Sequence, residues 1–329
     1  MNPLAAALDL SCIHPSDETA VWPLCLAIVQ CRRSGDWPTA PGRFAPSTDP
    51  AQAASPFAAL ISSTASDAPL AWSAQDGWSL CGEHDACTLK FFGLYKPLLD
   101  RPPGAAPWVI AQLGQSLDGF VATHRGHSCF VTGPQSLVHL HRLRALCDAV
   151  IVGAGTVAAD DPSLTTRHVE GAHPVRVVLD PHRGLNGAAR VFSDGEAPTL
   201  RLCRADATVG EAASAGNEQM LGVPGLLDTA GALNARAVVA ALRARGLLLL
   251  FVEGGGITVS RFLAQGCLDR LHLTVAPVLI GAGRRGLQVA AADTMDECLR
   301  PQARALRLGD DVLWDIDLRH PVPAVTASQ

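Results

Sequence analysis

Six apolar residues in an unbroken row, Leu247 to Val252, run straight into Glu253-Gly254-Gly255-Gly256. A run this short, ended by glycines, reads as a strand buried on both faces, and such strands belong to parallel sheets covered by helices. Behind the glycines, Ile257, Val259, Phe262 and Leu263 fall at helical spacing until Gly266 stops the pattern. The segment is therefore strand, glycine turn, helix. Glycines let backbone N–H groups approach a ligand closely, and a helix N-terminus favours an anion there. A carboxylate beside that turn is badly placed to bind phosphate and better matched to a hydrogen-bond-donating part of a second ligand. The segment predicts two ligands meeting at one strand end.

A chain of 329 residues has room for two domains. Its 48% hydrophobic and 17% charged content fits a packed globular protein. A net charge of −5 without a basic run argues against a nucleic-acid footprint. No apolar run approaches the roughly 20 residues of a membrane span. The start, MNPLAAALDL, lacks the basic and long apolar parts of a secretion signal. Ten scattered cysteines contain no C-x-x-C pair, so the sequence predicts reduced thiols, a cytoplasmic location and no metal site. Lys90 and Lys96 are the only lysines, which excludes a P-loop or Schiff-base lysine in the C-terminal two-thirds.

Residues 1–105 read as an extension separate from the rest. Ser16 is placed to cap a helix running from Ala20 to Arg32, and Arg33 to Pro56 has the composition of a loop. Ala58 to Trp78 suits short strands and Thr88 to Leu99 a helix, before Arg101-Pro102-Pro103-Gly104 marks a boundary. From 106 to 322 strands alternate with helices, leaving 323–329 as a tail. Strands are expected at Trp108–Leu113, Ala149–Val152, Val175–Leu179, Thr199–Cys203, Leu271–Val275 and Asp311–Asp317. Helices are expected at Pro134–Ala145 and Leu233–Arg245. That alternation predicts a largely parallel sheet, and the last strands, with no helix between them, predict an antiparallel edge.

Polar groups recur just past the strand ends: Leu117-Asp118-Gly119, Gly153 to Thr156 followed by Asp160-Asp161-Pro162, Asp180 to Arg183, and Glu253 to Gly256. Ligands of open α/β sheets bind at that edge. Each group taken singly also reads as a tight turn or a helix cap, and no G-x-G-x-x-G spacing occurs. Arg142, Arg144 and Arg167 are the candidates for phosphate recognition, with a solvated helix face as the plain alternative. His124, His127, His139, His141, His168, His173 and His182 show no metal spacing and read as mostly exposed. Glu253 stands out, because a carboxylate directly after an apolar strand is costly without a partner.

Several strings together carry a family likeness: Leu113-Gly114-Gln115-Ser116-Leu117-Asp118-Gly119, Thr132-Gly133-Pro134-Gln135, and Arg142-Leu143-Arg144. Gly155-Thr156-Val157-Ala158-Ala159-Asp160-Asp161-Pro162-Ser163-Leu164-Thr165, Val252 to Gly256, and Ala276 to Gly281 complete the set. From Trp108 to about His320 the chain resembles the pyrimidine reductases of riboflavin biosynthesis, the RibD C-terminal domain. The resemblance implies a dihydrofolate-reductase-like three-layer α/β sandwich with a mostly parallel central sheet. It also implies a homodimer that uses NADPH to reduce a ribosylamino-pyrimidine 5′-phosphate to its ribityl form. Ser128, Arg144, Leu164, Arg167 and Glu253 would face the substrate, with the two arginines on its phosphate. Gly114, Phe130, Thr156, Asp160, Gly255, Gly256, Ile257, Thr258, Val259, Ser260 and Arg261 would face the cofactor. Glu253 and Asp160 would lie nearest the chemistry.

Three positions depart from the family pattern: Gln112 where lysine is common, Phe120 where a basic residue is frequent, and Phe130 where tryptophan is frequent. The zinc deaminase strings H-A-E and P-C-x-x-C are missing from residues 1–105, where Glu83 to Cys87 comes nearest, so no deaminase is expected. The departures leave open a different heterocyclic acceptor, or a nucleotide-binding protein without catalysis.

Overall fold

The computed structural model describes residues 15–47, 59–128, 131–208 and 217–319. Two compact units divide between Ala106 and Pro107.

The first unit holds α1 (Pro15–Ser34), β1 (Gly42–Pro46), β2 (Leu60–Ser63), β3 (Leu70–Ser73), β4 (Gly77–Leu80) and α2 (Ala86–Leu99). Its four strands pair antiparallel in the order β2-β1-β3-β4. Trp78 is its buried centre, with the rings of Trp37 and Phe44 edge-on at 5.8 and 5.2 Å. The β3–β4 hairpin is locked to α2 by Asp100, which accepts from the Trp78 N–H at 2.7 Å and pairs with Lys96 at 2.8 Å. Lys96 Nζ also donates to the carbonyls of Asp76 and Trp78, so its charge is used within this unit. Asp85 caps α2 by accepting from the Thr88 N–H. Two expectations are corrected. Ser16 does not precede the first helix but lies in its first turn, because the helix opens on Pro15, whose fixed φ suits that place. The stretch from Arg33 to Pro56, read as loop, contains β1; residues 48–58 lie outside the described residues.

The second unit is built on a nine-stranded sheet. In chain order its elements are β5 (Trp108–Ser116), β6 (Phe120–Thr123), α3 (Pro134–Leu146), β7 (Ala149–Gly153), α4 (Ala154–Asp160), β8 (Val175–Leu179), α5 (Arg190–Ser193) and β9 (Thr199–Arg204). They continue with β10 (Glu218–Val223), α6 (Ala235–Arg243), β11 (Leu249–Glu253), α7 (Gly256–Ala264), β12 (Arg270–Ala276), β13 (Gly283–Arg285), β14 (Gln302–Leu308) and β15 (Asp311–Asp317). The order is β10-β9-β8-β7-β11-β5-β12-β15-β14. All pairs from β10 through β12 are parallel, and β15 and β14 close the sheet antiparallel. This is the α/β sandwich, mostly parallel with an antiparallel edge, that the pattern predicts.

The apolar run of the sequence is the middle of this sheet. Leu250, Phe251 and Val252 are wholly buried, as are Ala149, Val150, Ile151 and Val152 of the neighbouring β7. Residues that point alternately to both faces are all covered, as a central parallel strand requires. Among the described residues, no helix is long and apolar enough to cross a membrane, and no group of three or more His, Cys, Asp or Glu side chains suits a metal ion.

Candidate active site

The parallel strands all point their carboxyl ends to one edge, and there a cleft of about 1520 Å³ opens. Gly153 at the end of β7, Leu179 at the end of β8, Glu253 at the end of β11 and Ala276 at the end of β12 all line it. Pockets for a single drug-sized ligand measure about 300–1,000 Å³, so the volume suits two ligands side by side.

Three helices begin at this cleft, each with a glycine as its N-cap and no side-chain cap: α3 at Gly133, α4 at Gly153 and α7 at Gly255. First-turn N–H groups and the helix dipole make the starts of α4 and α7 attractive to anions, whereas α3 opens on Pro134, which has no N–H, and its Gly133 N–H donates to the Asp311 carboxylate at 2.7 Å. Arg261, Arg284, Arg285 and His182 add basic groups to the wall. The Arg285 guanidinium rests 5.1 Å above the Phe120 ring.

The glycine turn divides its work differently from the expectation. Gly254 takes φ +123°, which only glycine adopts readily. The Gly255 N–H donates to Thr156 Oγ1 at 3.3 Å, tying the turn to α4. Gly256 faces its own chain: a Cβ there would stand 2.1 Å from the Gly286 carbonyl oxygen. The backbone after β13 presses on the start of α7, so this glycine serves packing as much as any ligand.

Of the residues expected at the site, Gly114, Ser128, Thr156, Asp160, Leu164, Glu253, Gly255, Gly256, Ile257, Thr258 and Arg261 line the cleft. Phe130 lies outside the described residues. Val259 and Ser260 are corrected. Helical spacing turns Val259 into the apolar core, where it is wholly buried, and Ser260 Oγ is taken by the Gln288 N–H at 2.8 Å. Ser128 Oγ lies 3.4 Å from Asp160 Oδ1, joining two expected positions. Leu164 is buried at the cleft with φ +55°, in the same turn as Asp161 at φ +38°. Two left-handed residues without glycine's freedom mark local backbone strain, of the kind that gathers at functional sites.

Arg144 and Arg167 sit off the cleft wall. Arg144 is bound to Glu253 by a two-pronged ion pair, Nε to Oε2 at 2.9 Å and Nη2 to Oε1 at 2.6 Å. Its Nη1 donates to the Thr165 carbonyl at 2.8 Å. Arg167 is exposed, with Nη1 donating to Thr165 Oγ1 at 2.8 Å. The residue is open to water as a whole but its guanidinium is partly covered, and that desolvation with the neighbouring Arg144 pushes it below its usual range. His141 packs between them. Its Nδ1 accepts from the Arg167 N–H at 2.9 Å, and burial with the nearby Arg144 pushes its pKa down to about 3. The expectation of mostly exposed histidines is thus corrected for His141 and for the wholly buried His139, both carried inward by α3.

Asp118 and Asp180, the other strand-end acids, fasten loops. Asp118 accepts from Ser116 Oγ at 2.5 Å and from the N–H groups of Ile280 and Gly281. Those bonds pull its pKa down to about 2. Asp180 accepts from Gly184 and Leu185 and pairs with Arg201 at 2.6 Å. Gln112, on β5 opposite Glu253 in register, is buried on the cleft floor. Its Nε2 faces the Ser136 carbonyl and hydroxyl at 3.5 and 3.4 Å.

Sequence reasoning missed Arg284 and Arg285, whereas His182 belongs to the strand-end group Asp180 to Arg183. The first two belong to the three-residue strand β13, which is too short to leave a periodic signal.

Residues 107–306 match the RibD C-terminal domain. The chain belongs to that family. The riboflavin biosynthesis protein RibD of Aquifex aeolicus is 31% identical over 209 residues, covering 63% of this chain and 56% of that protein. The 2,5-diamino-6-ribosylamino-4(3H)-pyrimidinone 5′-phosphate reductase of Methanothermobacter thermautotrophicus is 32% identical over 223 residues, covering 65% of this chain and 99% of that protein. The chain thus spans about half the length of the RibD proteins it matches and nearly all of the archaeal reductase. Among solved structures, a deaminase/5-amino-6-(5-phosphoribosylamino)uracil reductase from Thermotoga maritima superposes with a TM-score of 0.55 at 26% identity, covering 71% of this chain and 60% of that one. The glycine-capped helix starts and the Arg144–Glu253 pair lie within the matched residues 107–306.

Proposed function

We propose that this protein is an NADPH-dependent reductase of a ribosylamino-pyrimidine 5′-phosphate, forming the ribityl product. One observation carries the reading: the glycine-started helices α4 and α7 open on a cleft that also presents the Glu253 carboxylate. The uncapped helix starts suit a cofactor's phosphates, and Glu253 suits the donor groups of an organic substrate. In this reading Gly114, Thr156, Asp160, Gly255, Gly256, Ile257, Thr258 and Arg261 hold the cofactor. Ser128, Leu164 and Glu253 face the substrate, and Arg144 and Arg167, which meet at Thr165 just behind the wall, are the basic groups for its phosphate. NADPH held there would supply the hydride for C1′ of the substrate's open, imine form, with the adjoining nitrogen taking its proton from solvent. The protein's share is to align the two.

The reading includes a homodimer in the cytoplasm. The location is supported by cysteines scattered through the sequence without a C-x-x-C pair. The dimer follows from the family, and sedimentation is expected to give about twice the 34.4 kDa chain mass. A different acceptor is the second reading, favoured by Gln112, a neutral amide buried beside Glu253 on the cleft floor.

The test is loss of NADPH absorbance on adding the ribosylamino-pyrimidine 5′-phosphate, with the ribityl product identified by mass. Tight NADPH binding without turnover would move the protein to the second reading. Failure to bind NADPH would end both.

A further inference from the structure

Arg285 ends the short strand β13, and its backbone is pinned on both flanks. Across the strand pair it stands opposite Phe120 of β6, at the point where the register shifts. The next residue, Gly286, donates its N–H to the Gly119 carbonyl at 2.8 Å. On the other flank, the Arg285 carbonyl oxygen would stand 2.7 Å from a Cβ at Gly256, the first residue of α7. Arg285 is thus carried on backbone wedged between β6 and a helix start that opens on the cleft.

Its side chain is exposed and lines the cleft together with Ile257 and Arg261 of α7. The guanidinium lies 5.1 Å from the centroid of the Phe120 ring, which is itself buried at 8% exposure. Stacking of this kind uses the face of the guanidinium, sets its plane, and leaves the N–H donors along its rim unspent. Among the described residues, no hydrogen bond or ion pair takes those donors. Glu253, Asp160 and Asp311 of the cleft wall have other partners, in Arg144, Ser128 and the Gly133 N–H. A cation with a set plane and free donors, beside a helix start without a side-chain cap, matches recognition of phosphate. Phe120 stands where related sequences frequently carry a basic residue. Here the charge comes from the opposite strand, and the ring is its rest.

We propose that Arg285, stacked on Phe120, binds the pyrophosphate of the cofactor at the start of α7. The inference rests on the reductase reading above and adds to it a residue from β13. The starts of α4 and α7 are tied together by the bond from the Gly255 N–H to Thr156. Two linked phosphates span two adjacent helix starts, where a lone phosphate monoester engages one. Their combined charge calls for a cation beside the helix dipoles, and Arg285 supplies it.

The experiment titrates wild type, Arg285→Gln, Arg285→Lys, Phe120→Leu and the Phe120→Leu/Arg285→Gln pair by calorimetry. The ligands are NADPH, NADH and adenosine 2′-monophosphate, and the KM of the ribosylamino-pyrimidine 5′-phosphate is measured alongside. Arg285→Gln is expected to weaken NADPH and NADH alike, by about 20-fold. Adenosine 2′-monophosphate, which has no pyrophosphate, is expected to stay within about 2-fold. Arg285→Lys keeps the charge without the stacked fork and is expected to lose about fivefold. Phe120→Leu is expected to weaken both dinucleotides about threefold, and to add nothing further in the Arg285→Gln background. A Phe120 that served packing alone would cost the same in both backgrounds. If Phe120→Leu does not fold, the variants of the exposed Arg285 decide alone. A loss on NADPH and adenosine 2′-monophosphate but not on NADH would put the arginine on the 2′-phosphate and overturn the proposal. A change confined to the KM of the ribosylamino-pyrimidine would put it on the substrate and overturn it equally. Wild type that binds no NADPH would end the reductase reading and this inference together. Wild type that binds NADPH, with Arg285→Gln unaffected, ends this inference alone.

Discussion

Alanine at Gly256 is expected to cost about 3 kcal/mol of stability, the upper end of what inserting a methyl group into a packed site costs. The added Cβ would stand 2.1 Å from the Gly286 carbonyl oxygen and 2.7 Å from that of Arg285. Both are backbone atoms, and β13, through Gly283 and Arg284, is hydrogen-bonded to β6. Neither neighbour yields as a flexible side-chain tip would. Relief requires α7 to move off the cleft wall, so NADPH binding is expected to weaken with stability. Gly155 is the contrasting position. It lies in the first turn of α4 and lines the cleft, and a Cβ added to it would meet nothing within 4 Å. Gly155→Ala is expected to leave stability unchanged or raise it by about 0.5 kcal/mol, through the helix preference for alanine. It is expected to weaken NADPH binding, because the methyl group fills cofactor space. Urea midpoints and NADPH titrations of the two variants give the result. A Gly256→Ala protein as stable as wild type would refute the packing argument, and a Gly155→Ala protein with unchanged NADPH affinity would take the cofactor off α4.

The difference between those two glycines was not legible in the chain. Three consecutive glycines after an apolar run announce a tight turn at a strand end, and β11 and α7 stand where that pattern puts them. What Gly256 touches depends on a loop 30 residues later, and no local pattern encodes such a contact. The same limit explains the rest. Helix α3 was legible from Pro134 at its start and its apolar spacing, but the burial of His139 and His141 follows from how α3 lies on the sheet. A signal did exist for His139, which shares a helical face with Ser136 and Leu143 at spacings of three and four. Strands β6 and β13 have four and three residues, too few for an alternation to register. Glu253 was marked by the cost of a carboxylate after an apolar strand, and that cost correctly demanded a partner. Which arginine answers it is settled only by the fold.

Stability is expected to fall as pH drops from neutrality toward about pH 4, through histidines that fold neutral. His139 and His272 are both wholly buried, with Nε2 of the first 2.9 Å from Nδ1 of the second. His272 Nε2 lies 3.2 Å from Asp315, which also pairs with Arg270 and Arg304. The 3.2 Å contact falls short of hydrogen-bond geometry, but a carboxylate beside Nε2 favours the proton there over a lone pair, which leaves His272 Nδ1 to accept from His139 Nε2–H. His272 is then neutral, and burial, with His272 and Arg142 nearby, favours the neutral form of His139 as well. Burial drives His139 well below its ordinary pKa and lowers His272, and it takes His141 to about 3. The unfolded chain binds protons at these positions from about pH 6.5 downward, while the folded chain does not. Depressed folded values thus contribute stability that is complete above about pH 6.5 and lost as pH falls, by up to about 1.4 kcal/mol per pH unit for each histidine. Asp315 acts in a lower window. Burial works to raise its pKa, but the bonds from His272 and Arg270 win and hold it below the usual carboxylate range. Its stabilising charge is therefore lost only below about pH 4. Urea midpoints measured from neutral to acid pH should decline in two stages. His141→Gln, which keeps an acceptor near the Arg167 N–H but cannot titrate, should make the first stage shallower by one histidine's share. A wild-type profile that stays flat between about pH 6.5 and 4.5 would mean that these rings are already charged in the folded protein, and the neutral His139–His272 arrangement would have to be abandoned.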